Sequence, residues 1–299
     1  MDHSEVIIIG GSYAGLSAAM ALGRSLRSVR IIDNGKPCNR FTPFSHNFLL
    51  GDGVPPAQLR EEARRQVAAY STVTWTDGTV TSVTGVNGNF IVSTQEGNFA
   101  AGKILFATGV YDELSKPEGL EACWGKSVLH CPYCHGYEVK GRLTGILASG
   151  PAAFEMSRLL SQWTTKLILL TDGGPEPDAE QERLIRKHGI DIIHDKVVRL
   201  HHDNGRLQGV EFANGQVLPL EVMYTHAPKR QHCPAPEQLG CQLDDTGMLV
   251  VNDFQETTVK GVYAAGDNCN LMRSVSLAVS AGSRAGALIN RALVEESFI

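Results

Sequence analysis

The chain has no apolar run approaching the ~18 residues that a membrane-spanning helix requires; its longest apolar runs are short strand-length stretches such as Val6-Ile7-Ile8-Ile9. No transmembrane helix is predicted. Basic runs are missing as well. Lys and Arg total 27 against 32 Asp and Glu, a formal net charge of −5. That balance argues against a nucleic-acid scaffold or a protein of anionic membrane surfaces. The opening Met1-Asp2-His3-Ser4-Glu5 is polar and acidic and runs straight into a strand, so no secretory signal is predicted there. Cysteine is sparse, seven residues at positions 38, 123, 131, 134, 233, 241 and 269, with a single close pair. A disulfide framework would be denser and even in number; this is the pattern of a cytoplasmic protein with one working pair. With 42% hydrophobic and 20% charged residues the rest is ordinary globular composition. At 299 residues the chain exceeds the usual single core, so two domains are expected.

The close pair lies in His130-Cys131-Pro132-Tyr133-Cys134-His135-Gly136-Tyr137-Glu138. Two thiols separated by two residues can close a disulfide or open to a dithiol, and so carry two electrons. Pro132 suits the first position of a helix, whose N-terminal dipole favours thiolate. His130 and His135 offer proton donors and acceptors near neutral pH. Half of a zinc site is the competing reading, with Cys233 and Cys241 plus His226 or His232 as the second half. That spacing matches no usual finger or ribbon, so no metal is predicted. An inert structural pair is the other alternative, and redox work is the favoured one.

Two βαβ units flank this motif. Val6–Ile9 ends in Gly10-Gly11-Ser12-Tyr13-Ala14-Gly15; a helix follows with Leu16, Ala19, Met20 and Leu22 on its buried face; Val29–Ile32 then ends at Asp33. Small residues let the backbone approach a pyrophosphate, the helix N-terminus faces its charge, and Asp33 stands where a carboxylate bonds ribose hydroxyls. Ser12 departs from the usual second glycine. A helical run from Ala57 to about Tyr70 comes next. Val73 to Phe106 then reads as a meander, with turns at Asp77-Gly78 and Asn87-Gly88. Ile104-Leu105-Phe106-Ala107-Thr108-Gly109 is a buried strand ending in a small-residue turn. A crossing between domains is expected around Asp112 to Pro117.

After the thiol pair the pattern returns. Leu143–Leu147 leads into Ala148-Ser149-Gly150-Pro151-Ala152-Ala153, a helix through Trp163, and the strand Leu167–Leu170. This loop is poor: Ala148 and Ala153 replace glycines, and Pro151 removes an N–H. No arginine follows the second strand to hold a 2′-phosphate, and Asp172 would repel one. If a nicotinamide binds here at all, NADH is favoured over NADPH; the alternative is a retained fold with a lost site. Ala179–His188 reads as helix, followed by short strands, and Val222–His226 as the segment returning the chain to the first domain. A buried strand ends at Gly266-Asp267. The last helix, from about Val275 to Leu293, carries the small stripe Ala278, Ala281, Gly282 and Ala285, which permits close approach.

In that order, these motifs resemble the low-molecular-weight thioredoxin reductases over nearly the whole chain. The nine-residue block around Cys131 is most similar to the branch that includes thioredoxin-reductase-like proteins and gliotoxin-oxidase-type dithiol oxidases. The resemblance implies an α/β fold of two Rossmann-like dinucleotide-binding domains, each with a small antiparallel meander. It implies a discontinuous FAD-binding domain at 1–112 and 230–299, an inserted NAD(P)-binding-like domain at 113–229 carrying the redox pair, and a homodimer. Gly10, Gly11, Ser12, Ala14 and Gly15 would then face the FAD pyrophosphate and Asp33 its ribose, with Gly109 in the mid-chain turn. Gly266 and Asp267 would meet the ribityl chain, and Ser276 to Ala278 the flavin ring. Cys134 would lie against the flavin, while Cys131, nearer solvent, would exchange with a thioredoxin-like protein or small dithiol. His135 takes the family's acid–base position; His130 is a second candidate, and His46 another residue expected near the cavity. Thr171-Asp172-Gly173 departs from the family's phosphate-binding His-Arg-Arg, and Thr225-His226-Ala227-Pro228 from its Gly-His-x-Pro. Both departures set NADPH in doubt. The implied activity is FAD-dependent thiol–disulfide exchange, with dithiol oxidation by oxygen, or a donor other than NADPH, as alternatives.

Overall fold

The computed structural model describes residues 2–114 and 117–298. Ser115 and Lys116, within the predicted crossing, lie outside the described residues, as do Met1 and Ile299. The chain divides into two compact units: Met1–Arg40, Phe48–Tyr111 and Lys229–Ile299 form the first; Phe41–Asn47 and Asp112–Pro228 form the second.

The first unit is organised on a sheet whose parallel part runs Val73–Asp77, Val29–Asp33, Asp2–Ile9 and Asn98–Phe106. Val6 to Ile9 are buried on both faces, which is why the segment is continuously apolar rather than alternating. The strand Asn98–Phe106 forks. Its first half pairs antiparallel with Asn89–Thr94, and its second half runs parallel to Val262–Ala264, with Ile104 opposite Val262. Val80–Val86 and Asn89–Thr94 form a hairpin closed by the predicted two-residue turn Asn87-Gly88. Val73–Asp77 corrects the expected meander, because it pairs in parallel with Val29–Asp33, Trp75 opposite Ile31. An edge strand of a parallel sheet and a meander strand both show one buried face, so alternation could not separate them.

The helix Tyr13–Arg24 packs against a terminal helix that extends past the predicted end to Phe298. A side chain at Gly282 would stand 2.1 Å from the Ala14 carbonyl, so only glycine admits this approach. The extra turns have a tether: Lys103, buried on the strand Asn98–Phe106, places its ammonium 2.6 Å from Glu296. A buried lysine needs such a partner, and this one holds the helix end to the sheet.

The second unit has its own five-stranded parallel sheet, ordered Asp191–Ile193, Leu167–Leu170, Thr144–Leu147, Val222–Thr225 and Val128–Leu129. A three-stranded antiparallel piece, Val197–Asp203, Arg206–Phe212 and Val217–Pro219, accompanies it. The fold is therefore α/β with two Rossmann-like units, each with a small antiparallel element. Val222–Thr225 is an interior strand of this sheet with all four residues buried, not the returning segment. The return comes at Lys229–Gln231, which pairs with Val110–Asp112. Among the described residues no helix is long and apolar enough to cross a membrane.

Candidate active site

In the first unit the turn after Ile9 is built for close backbone approach. Gly10 has φ +108°, and a Cβ there would lie 2.3 Å from the Ala107 carbonyl oxygen. A Cβ on Gly15 would lie 1.9 Å from the Gly10 oxygen, so the helix can start against the turn only with glycine at that place. Ser12 is the N-cap in extended conformation, and its side chain makes no capping bond. The start of the helix Tyr13–Arg24 lies beside a cleft of about 160 Å³, lined in part by Gly10, Gly11, Ser12, Asp33, Lys36 and Thr79. Asp33 accepts from the Gly11 N–H at 2.9 Å and the Gly35 N–H at 3.2 Å, and pairs with the Arg60 guanidinium. Neither Lys36 nor Arg60 was singled out from the sequence; one sits in a loop, the other on an Arg-rich helix face that reads as solvated.

Ala14 is wedged between the terminal helix and Gly266, whose Cβ would stand 3.0 Å from that of Ala14. This brings Gly266-Asp267 to the first turn. Asp267 is half-buried, with Arg273 Nε 3.1 Å from its Oδ2. Asn268 is fully buried and donates to the Phe106 carbonyl at 2.8 Å, which ties this segment to the Ala107-Thr108-Gly109 turn. Its Oδ1 is left without a partner. Gly109 adopts φ +64°. Ser276 and Ala278 lie in the first turns of the terminal helix, whose start is capped by Ser274 Oγ accepting from the Leu277 N–H at 3.1 Å.

In the second unit, Cys131 is the extended N-cap of a single helical turn, Pro132–His135, with Pro132 at the first position as expected. Four residues make a weaker dipole than a full helix, so the predicted thiolate stabilisation rests on the local N–H groups. A side chain at Gly136 would stand 2.6 Å from the Trp163 ring, so the turn is seated on that indole; Tyr133, 61% exposed, meets the same ring edge-on at 5.5 Å. Cys131 and Cys134 are both half-buried.

His135 is half-buried at the end of this turn. Its Nε2 lies 2.9 Å from Thr42 Oγ1, and its Nδ1 is buried with no hydrogen-bond partner. Burial lowers its pKa below the ordinary histidine value, and the neighbouring His46 adds to this, while Glu138 and the Cys131 carbonyl oppose it. His46 Nδ1 in turn stands 3.6 Å from Glu138. His130 faces solvent, stacked on Trp124 at 5.6 Å, while His135 is the histidine enclosed by the turn's partners. Tyr224 was missed from the sequence. It is 1% exposed, and its hydroxyl is buried without a hydrogen-bond partner. Burial chiefly, then the charges of Cys131, Cys134 and Glu138, raise its pKa and keep it a proton donor. The one clue was a tyrosine following two apolar residues in the short strand Val222–Thr225. Among the described residues no cluster of three or more His, Cys, Asp or Glu is placed to hold a metal.

The second dinucleotide turn is differently arranged. Gly150 donates its N–H to the Pro175 carbonyl at 2.7 Å, and Pro151 has none to offer. A side chain at Gly174 would meet Ser149 at 2.7 Å, so the loop after Leu167–Leu170 is packed on the turn. Asp172, at φ +55°, turns its carboxylate to the Val197 N–H at 2.7 Å. Two of the first three amides of the helix Gly150–Leu160 are thus unavailable to a pyrophosphate. These residues do not fit a bound pyridine nucleotide.

A family model for pyridine nucleotide-disulphide oxidoreductases matches residues 4–282. A thioredoxin reductase of Aspergillus oryzae is 31% identical over 94% of this chain and 93% of its own. A crystal structure of an oxidoreductase from Agrobacterium tumefaciens superposes with TM-score 0.92 at 37% identity, covering 99% of each chain. A putative thioredoxin reductase from Bacillus anthracis gives 0.94 at 30% identity, over 99% of this chain and 100% of its own.

Proposed function

The chain belongs to the pyridine nucleotide-disulphide oxidoreductase family, and from that membership we propose a flavin-dependent enzyme that relays two electrons between FAD and a substrate disulfide or dithiol through Cys131 and Cys134. The family implies FAD and a pyridine nucleotide. For FAD, the Gly10–Gly15 turn, Asp33 and Asp267 supply a cradle that fits: a helix start beside a cleft, no room for a Cβ at Gly10, Gly11 or Gly15, and a carboxylate on the rim. We assign its binding to Gly10, Gly11, Ser12, Ala14, Gly15, Asp33, Gly109, Gly266, Asp267, Ser276 and Ala278. Bound there, FAD supplies the two-electron store that thiol exchange by itself lacks. We assign 1–112 with 230–299 to the FAD-binding domain and 113–229 to the insertion, with Phe41–Asn47 packed as part of the latter unit.

The observation that carries this reading is the thiol turn with a buried histidine at its end. Cys131 meets the substrate sulfur, Cys134 resolves the mixed disulfide, and His135 takes and returns the thiol proton. Its lowered pKa keeps the ring neutral near pH 7, the form needed to accept that proton. His130 is the reserve candidate. The partner is a thioredoxin-like protein or a small dithiol, the assembly a homodimer, and the location cytoplasmic.

One observation favours a second reading, a dithiol oxidase whose electrons leave to oxygen. The amides of the second dinucleotide turn are committed within the protein, so neither NADH nor NADPH finds the usual pyrophosphate cradle. Anaerobic titration of the flavin spectrum with NADH, NADPH or a dithiol, followed by oxygen, separates the two. Bleaching by a nicotinamide supports the reductase. Bleaching by dithiol alone with fast recovery in air supports the oxidase. A Cys134→Ser variant that turns over normally overturns both.

A further inference from the structure

The contacts of His135 bear on its tautomer. Thr42 Oγ1 is 2.9 Å from Nε2, and the same hydroxyl donates to the Phe44 carbonyl at 3.2 Å. A hydroxyl has one proton. With that proton directed to Phe44, Oγ1 faces the ring as an acceptor, so Nε2 carries hydrogen. In a neutral imidazole the other nitrogen is then bare, and Nδ1 is the buried ring atom left with no partner. Thr42 and Phe44 belong to the short segment Phe41–Asn47, which joins the second unit although it is flanked on both sides by residues of the first.

We infer that Thr42 is a positioning residue that holds His135 as the Nε2–H tautomer and reserves Nδ1 for the proton of the thiol pair. This rests on the acid–base role proposed for His135. The charged and titratable groups that act on the ring are His46 from the same segment and Glu138 beyond the turn; Glu138 also acts on Tyr224 of the strand Val222–Thr225, which feels both cysteines as well. Protonation of the ring is favoured by Glu138 and by the Cys131 carbonyl and opposed by burial and His46. The resulting imidazolium is short-lived, as a proton carrier should be.

The exchange balances. A thiol of the pair gives its proton to Nδ1; the thiolate attacks one sulfur of a substrate disulfide; a mixed S–S bond forms as the substrate S–S bond breaks. The leaving thiolate takes the proton back from Nδ1. The second thiol repeats the sequence on the mixed disulfide, closing the Cys131–Cys134 bond and releasing the substrate dithiol.

The test is two-bond ¹H–¹⁵N correlation on flavin-loaded protein with labelled histidine, His135 being assigned by the signals lost in His135→Gln. The expected spectrum shows a protonated Nε2 and a bare Nδ1 at pH 8. Thr42→Val, which keeps the shape and loses the acceptor, should mix in the Nδ1–H form, shift the pH profile of thiol alkylation, and slow exchange by roughly tenfold, a part of the 10²–10⁴ that a positioned acid or base supplies. Thr42→Ser should restore all three. A wild-type protein showing Nδ1–H, or a Thr42→Val spectrum like wild type, overturns the inference without touching the proposed function. Wild-type exchange rates in His135→Gln with the expected tautomer present would instead remove His135 from the chemistry.

Discussion

The two dinucleotide turns share a topology and differ in where their backbone amides point. After Ile9, the chain leaves the first amides of the helix Tyr13–Arg24 beside an open cleft, and Asp33 is held on its rim by Gly11, Gly35 and Arg60. After Leu147, two of the equivalent amides are lost, one bonding the Pro175 carbonyl and one missing at Pro151, and the Asp172 carboxylate accepts from the Val197 N–H. The strands and helices of a βαβ unit are maintained by apolar packing, which is indifferent to what the turn binds. An anion site depends on three or four N–H groups, and a single loop can consume them.

This contrast can be broken most directly by nucleotide affinity. The first unit should retain FAD, while NADH and NADPH titrated by calorimetry should show Kd weaker than about 1 mM, so that the two sites differ by at least a thousandfold, about 4 kcal/mol. Micromolar nicotinamide binding would erase the distinction. Next in size, Gly10→Ala drives a Cβ into the Ala107 carbonyl and should cost at least about 3 kcal/mol in urea unfolding, together with the bound flavin. Gly150→Ala meets open space, and its φ of +57° makes it cost only about 1 kcal/mol. Equal losses would mean the turns are equivalent after all. The acids sharpen the same point: Asp33→Ala should weaken flavin binding by roughly 10- to 100-fold, the range of a lost charged hydrogen bond, whereas Asp172→Ala should leave flavin content unchanged.

The smallest effect places the second unit's specialised chemistry in its thiol turn. Because the folded pKa of His135 lies below its ordinary value of about 6.5, the unfolded chain binds a proton that the folded one refuses. Stability from this source is present above that value and is lost as pH falls through the folded pKa. Thermal melts from pH 7.5 downward should therefore show a steeper decline in wild type than in His135→Gln. Parallel curves would mean the ring is not held neutral by the fold. Thiol mapping adds a control, since burial, then Asp267, pushes Cys269 up to about 12 and burial raises Cys123, Cys233 and Cys241, leaving Cys131, Cys134 and the half-buried Cys38 the expected targets of alkylation at pH 8, with Cys38 the internal reference outside the thiol turn.

Much of the first site was legible because its signals are local. Glycine at 10 and 15, an acid at 33 and a thiol pair two residues apart each state their chemistry within one turn of chain. Val73–Asp77 was misread because a parallel edge strand and a meander strand share one alternation, and only a partner strand distinguishes them. Thr42 and Tyr224 were invisible for a related reason. A threonine in a loop and a tyrosine in a short strand carry no pattern, and they gain meaning only when the fold sets them beside His135 and the cysteines.

What the amino-acid order determined by itself was the inventory: two βαβ units, the redox pair on a helix start, and the weak spelling of the second turn. These follow from short-range sterics and from burial periodicity, which act within a few residues. Tertiary structure decided the rest. It sent the Pro175 carbonyl to Gly150, lent Phe41–Asn47 to the second unit, and aimed Thr42 at one nitrogen of a ring 93 positions away. A hydrogen bond needs its partners within about 3 Å and aligned, a condition that no spacing in a linear chain can state.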